Sequence, residues 1–543
     1  MVLETDAEIT SAGGGSARRR RPGLGTAAWW AGWGLLVVLL LLAAWRQARQ
    51  NGVQSDGASI ALQAWQMLHG NLLLRGWHVT DVSFYTTEMP LLMLVEAVRG
   101  LRTDVVAIAE AINYTLIVSC GALLAKGSAR GREGTVRALL AAGVMLAPTM
   151  AAANWLLNDP DHAATVLWVL LALLVIDRGG RRWYVPVLAG LILAWAAVGD
   201  PLIEVVGCGP LALVGAARAV PGLFQRQVRL RERWYELSLA GAGAASAAVA
   251  AAAVHVIVNA GGWVAVRPDK VFVQSAKLPG NVAVEVQYFF ALFSANFFGR
   301  RVNGGIVPVA VHLAGVIVVA LGIWLAARTM TRGFPRGSDF VTDVALVAIA
   351  CNLVAYLVLY SAVTNQIREV SPVLALGAVL AGRVLGGPLV RNRLEPVLGA
   401  GLLAYLLTMG PALTGPAGAP DNLALTGWLR SHHLTSGIGG YWQANSVTFN
   451  SGTKVTVRPV KGGLAGKPIW DIWEIYLPQT DAAHNYADFL VTANGPQAAR
   501  PPITTPGVVK RFGKPAHVYH FEQYTIMVWN HNILSSLKLP ARL

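Results

Sequence analysis

The sequence predicts an all-α, polytopic membrane domain followed by a C-terminal α/β or β-rich domain outside the bilayer. Three observations carry this prediction. Of 543 residues, 54% are hydrophobic and only 13% charged, with a mean hydropathy of +0.49, whereas a soluble chain carries about 25% charged residues. The apolar residues gather in runs close to the roughly 20 residues that cross a bilayer. The stretch 414–543 then turns rich in Gly, Pro, Asn, Thr and aromatics, with strand-like runs at Val455-Thr456-Val457 and Tyr524-Thr525-Ile526-Met527-Val528-Trp529.

Residues 1–26 read as a disordered basic tail around Arg18-Arg19-Arg20-Arg21. The run after it is too long for a signal peptide and lacks a small-residue cleavage site before Trp45-Arg46, so it is expected to stay as a helix. Spans are expected at 27–46, 104–125, 136–153, 162–177, 184–199, 201–217, 237–258, 305–327, 341–361, 370–387 and 394–413, about eleven in all. Leu91–Val98 is too short to cross and is placed outside the membrane. The membrane domain is thus 27–413, with long outer loops at 47–103 and 259–304, and the outer domain is 414–543.

Charge sets the orientation. The formal net charge of +15 lies in short Arg clusters between apolar runs, a pattern of topology signals and not of a nucleic-acid groove. With the tail in the cytoplasm, the inner connections hold Lys126/Arg130/Arg132, Arg178/Arg181/Arg182, Arg226/Arg229/Arg231/Arg233, Arg328/Arg332/Arg336 and Arg383/Arg391/Arg393. The short outer turns at 154–161 and 199–201 hold no Lys or Arg, and the one near 362–369 holds only Arg368. This alternation places the protein in the cell membrane with its C-terminal domain outside. Cys120, Cys208 and Cys351 sit singly in apolar runs, which excludes a disulfide framework or a zinc site built on them.

Ionisable residues near membrane depth are costly and are functional candidates by default. Those near outer helix ends are Asp56, Asp81, Glu88, Asp159, Asp161, Asp200, Glu204 and Glu369. Asp56 follows the first span closely and precedes an amphipathic pattern (Ile60, Leu62, Trp65, Met67, Leu68) expected to lie along the interface. It suits a general base, or alternatively a helix cap. Asn158-Asp159-Pro160-Asp161-His162 packs two carboxylates and an imidazole into one tight turn, a set able to hold a divalent cation, with Asp161 as a possible cap. Gly199-Asp200-Pro201, with Glu204 one turn on, reads foremost as a cap. Arg368, beside Glu369, suits either a phosphate or a neighbouring acid. Glu88, Asp200 and Glu204 are secondary site candidates.

This arrangement resembles the GT-C superfamily of membrane glycosyltransferases. Asp56 matches the acidic residue in the first outer loop, Asp159 and Asp161 match the Asp-x-Asp-like pair of oligosaccharyltransferase-type members, and Arg368-Glu-Val-Ser-Pro372 looks like their late Arg-x-x-x-Pro element. Gly439-Gly440-Tyr441-Trp442-Gln443-Ala444-Asn445 also resembles bacterial members of this class. The first loop reads Ser-Asp-Gly instead of the Asp-Glu pair of protein O-mannosyltransferases, and no Trp-Trp-Asp signature is present, so no subfamily is assigned. The resemblance implies a polyprenyl-phosphate-sugar donor in the membrane lipid and a glycan or protein acceptor. It implies Asp56 as the base, with Asp159, Asp161, His162 and Arg368 at the donor phosphate or a divalent cation (Mg or Mn). Tyr441 and Trp442 are the acceptor-binding candidates, and Trp428, Trp470, Trp473 and Tyr476 could stack on sugars or fill a small core. The rival class is a transporter or lipid flippase, which explains the helices but not the long outer loop or the outer domain.

Overall fold

The computed structural model describes residues 24–79, 82–146, 156–157, 162–224, 233–265, 272–297, 306–334, 337–359, 367–461, 471–472, 486–494 and 503–537. Asp81, Asp159, Asp161, Trp470, Trp473, Tyr476 and residues 1–23 of the expected tail lie outside the described residues.

Helix formation follows the long apolar runs. The chain begins with α1 (Leu24–Ala48), which starts three residues before the expected span, then α2 (Ser55–Leu68), β1 (His78–Val79), α3 (Met89–Arg99), α4 (Val105–Lys126) and α5 (Gly131–Met145). Next come α6 (Ala163–Gly179), α7 (Tyr184–Gly199), a π-turn at Glu204–Cys208, α8 (Gly209–Phe224) and α9 (Trp234–Asn259). After β2 (Val264–Ala265), which pairs in parallel with β1, follow α10 (Leu278–Leu292), α11 (Ile306–Gly333) and α12 (Phe340–Leu359). A 3₁₀ turn at Ile367–Val370 leads into α13 (Pro372–Arg391), then α14 (Glu395–Thr408) and α15 (Gly410–Thr414).

Six helices among the described residues are long and apolar enough to cross a membrane: those built on α1, α4, α9, α11, α12 and α13. This corrects the expected count of about eleven. Among the described residues the other five apolar runs fold as helices of 14–17 residues. Asp200-Pro201 separates α7 from the π-turn, and Asn392–Leu394 with Pro396 separates α13 from the 14-residue α14. At ~1.5 Å per residue a 16-residue helix such as α7 reaches about 24 Å, short of the ~30 Å hydrocarbon layer. Helix α3, 11 residues long, is too short to span, as expected of 91–98.

Helix α13 lies at the centre, buried from Pro372 through Gly382. It packs on α4, α5, α11 and α12. Gly322 of α11 permits one close approach, since a Cβ there would stand 2.7 Å from the Ala381 Cα, and Gly382 permits another to α5, where a Cβ would stand 2.6 Å from the Arg137 carbonyl oxygen. Around α9 the packing uses small residues: a Cβ on Gly243 would meet the Cys208 carbonyl at 2.5 Å, and Ser246 donates to Gly190 O at 2.9 Å, as small-residue seams between membrane helices do. On α1, Leu35, Leu36, Val38, Leu39 and Leu42 are exposed, an apolar surface that only lipid covers without cost. The protein is a multi-pass membrane protein.

One end of the bundle is tied by arginines. Arg383 reaches Asp177 (2.9 Å), Asp339 (3.0 Å) and Leu124 O (2.6 Å), joining the ends of α13, α6 and α4 to the start of α12. Arg218 of α8 pairs with the fully buried Asp343 at 2.5 Å and with Ser338. Arg178 donates to Leu123 O. Of these, Arg178 and Arg383 belong to clusters read as inner connections, and their contacts place them at one end of the bundle.

The C-terminal part adds α16 (Leu423–Ser431), β3 (Ser436–Gly439), α17 (Tyr441–Asn450), β4 (Thr456–Lys461), β5 (Asp471–Ile472), β6 (Phe489–Ala493), α18 (Thr505–Phe512), β7 (His517–Phe521) and β8 (Tyr524–Val528). The six strands form one mixed sheet in the order β5-β4-β3-β6-β8-β7. β3 is parallel to both β4 and β6, and β8 is antiparallel to β6 and β7. Both strand-like runs seen in the sequence fall on strands, β4 and β8. Trp428 of α16 packs against the sheet residues Tyr519 and Phe521, so it contributes to the core as well as to the surface.

Candidate active site

Opposite the arginine-tied end, α2 begins where the chain leaves α1. Gln54 is the extended residue at its N-terminus, and no side chain caps the helix. The capping role considered for Asp56 is therefore not what the carboxylate does. Asp56 Oδ1 accepts a hydrogen bond from the Tyr441 phenol of α17, and Oδ2 lies 4.0 Å from Nη1 of Arg368. Next to it, Ser55 Oγ donates to the Tyr441 carbonyl at 2.5 Å. Three sequence-predicted residues, Asp56, Arg368 and Tyr441, thus meet although they come from the first outer loop, the start of α13 and the C-terminal domain.

Each is positioned by its element. Arg368 is carried by the 3₁₀ turn ahead of α13, where Pro372 opens the helix and Ser371 N bonds back to Arg368 O at 3.1 Å. The neighbouring Glu369 is anchored through its carbonyl, which accepts from Asn352 of α12 at 2.9 Å. Tyr441 opens α17, which lies against α2. Helix α2, expected along the membrane interface, is covered by α3 and α17, and ten of its 14 residues are buried, because its apolar stripe packs on protein. Trp442 keeps a 36% exposed ring, edge-on to Tyr441 with centroids 5.3 Å apart.

A second polar group is fully enclosed. Asp200 accepts from His162 Nδ1 at 2.7 Å, from the Thr165 hydroxyl, and from Leu202 N at 2.9 Å. The last bond is the capping role read from Asp200-Pro201. His162 sits in the left-handed region (φ 60°), ahead of α6. Glu88 Oε1 accepts from Ala164 N at 3.2 Å. Burial raises the Glu88 carboxyl well above the usual carboxylate range, with Asp200 and Glu110 pushing the same way and Thr87 and His162 opposing. Burial also works against the Asp200 carboxylate, but His162, Thr165 and the Leu202 amide outweigh it and hold its pKa low. Glu204, on the π-turn, is exposed and stands beside Cys208 rather than in either group.

The two groups flank a small cavity. It is lined by Ala163 and Val166 of α6, by Tyr114 and Ile117 of α4, and by Ser371, Leu374 and Ala375 of α13. Its walls thus begin one residue past His162 and three past Arg368. Among the described residues no three His, Cys, Asp or Glu side chains gather to hold a metal. Of the cation set expected from sequence only His162 is described, and its Nδ1 is turned to Asp200.

Sequence reasoning passed over several polar residues near this end. Glu110 and Asn113 are buried in α4, and an acid inside an apolar span was the signal for them. Glu285 of α10 is buried, and burial pushes its carboxyl up to about 7. Its signal was an acid within the apolar run of an outer loop.

No protein-family model and no curated protein sequence matches the chain. Solved structures do. ArnT from Cupriavidus metallidurans in the apo state aligns with a TM-score of 0.53 at 13% identity, over 94% of this chain and 100% of that one. The same protein bound to undecaprenyl phosphate gives 0.50 at 13% identity over the same shares. The oligosaccharyltransferase of Archaeoglobus fulgidus, tethered to an acceptor peptide, gives 0.45 at 16% identity, over 79% of this chain and 64% of that one. This chain therefore spans a little under two thirds of the length of that enzyme. The likeness to ArnT extends over nearly the whole chain, so the two share a fold.

Proposed function

We propose that this protein is a GT-C-type glycosyltransferase that moves a sugar from a polyprenyl-phosphate donor to an extracytoplasmic acceptor of the cell envelope, a glycan, glycolipid or protein, with inversion at the anomeric carbon. The observation that carries the reading is the pairing of a carboxylate, Asp56, with a guanidinium, Arg368, at the end of the bundle away from the arginine-tied face. The Asn-Pro-flanked acids at 159 and 161 and the division into tail, membrane domain and outer domain belong to the same reading. So does the placement of the N-terminus in the cytoplasm.

The chemistry needs two groups. The acceptor hydroxyl loses its proton to Asp56 as its oxygen bonds to the anomeric carbon. The bond from that carbon to the phosphate oxygen breaks, and its electron pair leaves with the lipid phosphate. Arg368 offsets the charge that builds there. The sugar passes through an oxocarbenium-like state, as in glycoside hydrolysis. Attack from the face opposite the phosphate inverts the centre. That the similar ArnT structure has undecaprenyl phosphate bound supports a lipid phosphate as the leaving group.

The test uses purified protein and polyprenyl-phosphate-linked hexoses and pentoses, with release of the free lipid phosphate as the readout common to all donors. Transfer by wild type, and loss of transfer in Arg368→Ala with a folded protein, is expected. Movement of intact donor across liposomes without release would replace this reading by that of a flippase.

A further inference from the structure

The C-terminal domain touches the membrane domain at more than a surface. Gly418 N donates to Arg49 O at 2.8 Å and Asp421 N to Val53 O at 3.2 Å, so the segment after α15 runs along residues 49–53. Gly52 is indispensable to this fit, because a Cβ there would fall 1.8 Å from the Ala419 carbonyl oxygen. Asn450 at the far end of α17 holds the Asp421 carbonyl at 2.7 Å. Phe449 of the same helix is buried in the core of the first outer loop, with Ala58, Ile60 and Leu62. Helix α17 is therefore held on α2 at both of its ends.

At its first residue this helix makes a reciprocal grip. Ser55 Oγ donates to the Tyr441 carbonyl at 2.5 Å, while the Tyr441 hydroxyl donates to Asp56 Oδ1. The two hydrogen bonds join adjacent residues of α2 to the backbone and the side chain of one tyrosine. With Oδ1 engaged, the carboxylate can no longer rotate freely, and Oδ2 is the oxygen turned toward Arg368.

We infer that Tyr441 is a positioning residue for Asp56, so that the C-terminal domain completes the reaction centre of the membrane domain rather than serving only as a holder of acceptor. The inference rests on the reading of Asp56 as the base. It reassigns Tyr441, which the sequence suggested for acceptor binding. A phenol suits this role because it is rigid and reaches across the domain boundary. It also leaves the second carboxylate oxygen to take the acceptor proton. A hydrogen bond to a charged group is among the stronger ones, and a base held in one orientation avoids the entropic cost of finding it at each turnover.

The test is Tyr441→Phe in the full-length chain, which keeps the ring and its contact with Trp442 and leaves the Ser55 bond to the backbone intact. Isotope-edited infrared spectra of protein labelled with ¹³C-aspartate isolate the Asp56 carboxylate by difference from Asp56→Asn. The expected result is a shifted Asp56 carboxylate band, a melting temperature lowered by no more than a few degrees, unchanged affinity for undecaprenyl phosphate, and a kcat lower by about ten- to a hundredfold with the donor KM unaltered. An unshifted band, or a shifted band with unchanged kcat, overturns the inference. Full activity of Asp56→Asn would overturn the base reading itself. That failure is distinguishable, because the infrared shift in Tyr441→Phe would still report the hydrogen bond.

Discussion

Replacing Asp56 by Asn isolates the proposed base role from everything else the residue does. The amide oxygen can still accept from Tyr441, so the link to α17 survives. Two interactions weaken. The charge near the N-terminus of α2 is lost, worth about 0.3–1 kcal/mol. The 4.0 Å pairing with Arg368 is lost too; both side chains are roughly a quarter to a third exposed (26% and 33%), so screening limits that pair to about 0–1 kcal/mol. The summed loss of stability is on the order of 1–2 kcal/mol at most. Loss of a general base lowers the rate by about a hundred- to ten-thousandfold, which is about 2.7–5.5 kcal/mol at ~1.36 kcal/mol per decade. The catalytic effect therefore exceeds the structural one. Melting temperature in detergent and single-turnover sugar transfer, measured on the same preparation, separate them. Transfer within tenfold of wild type, from a protein of wild-type stability, refutes the assignment and shifts attention to Asp159 and Asp161.

Other expectations follow from particular contacts. Gly52→Ala sets a side chain against the Ala419 carbonyl and should loosen the C-terminal domain, read as faster limited proteolysis between 415 and 421 with the membrane helices still folded. Asp343→Asn leaves the buried Arg218 without its counter-charge and should cost about 3–5 kcal/mol, seen as a lower melting temperature in detergent. Glu285, raised from 4.5 to about 7, binds its proton more tightly folded than unfolded. Its contribution is therefore fully present below pH 4.5 and is lost as pH rises toward 7, and Glu285→Gln should flatten the melting temperature across that window. Ser431→Cys, at an exposed site of the outer domain, should react with an impermeant thiol reagent in intact cells; labelling only after lysis would reverse the topology.

Much of the layout was legible because lipid imposes simple rules. An apolar run long enough to cross must be a helix, since the backbone has no other way to satisfy its polar groups there. The clusters that hold Arg178 and Arg383 come together at one end because cations were confined to alternate connections. The count of spans was less legible. Composition does not show that Asp200-Pro201 or Leu394 with Pro396 cuts a helix short of the membrane thickness. The burial of α2 was hidden for another reason: an amphipathic stripe says that a face is covered, not whether by lipid or by another helix. The partner of Asp56 was hidden most of all. Tyr441 lies 385 residues away, and nothing local in Gly439-Gly440-Tyr441 indicates that its hydroxyl returns to the first outer loop. Arg368 was easier, as the lone cation of an outer turn.

The enclosed group supports the proposal of Asp56 as the base over Asp200 and Glu88. A general base must be ionised, must have an oxygen able to accept, and must be reachable. Asp200 is ionised but has no exposure, and three donors already hold its oxygens. Glu88 is buried at 3% exposure, and burial raises its carboxyl well above the usual carboxylate range, so its charged form is disfavoured and an acceptor has little access to it. Their contacts tie elements together. Asp200 fixes His162 and the start of α6, Glu88 receives the Ala164 amide, and the Ser83 and Phe84 contacts to Gly199 O stitch the first outer loop to the end of α7. Asp56 alone in this set combines partial exposure with one oxygen held by a neutral donor and the other directed at a cation. The environments drive the carboxyls apart in role, as happens wherever one fold must keep one acid neutral and another charged. Moving the cation away should then disable the site without touching the base. Arg368→Gln is expected to weaken undecaprenyl phosphate binding while leaving the Asp56 infrared band bonded to Tyr441, and an unchanged affinity would separate the phosphate from this pair altogether.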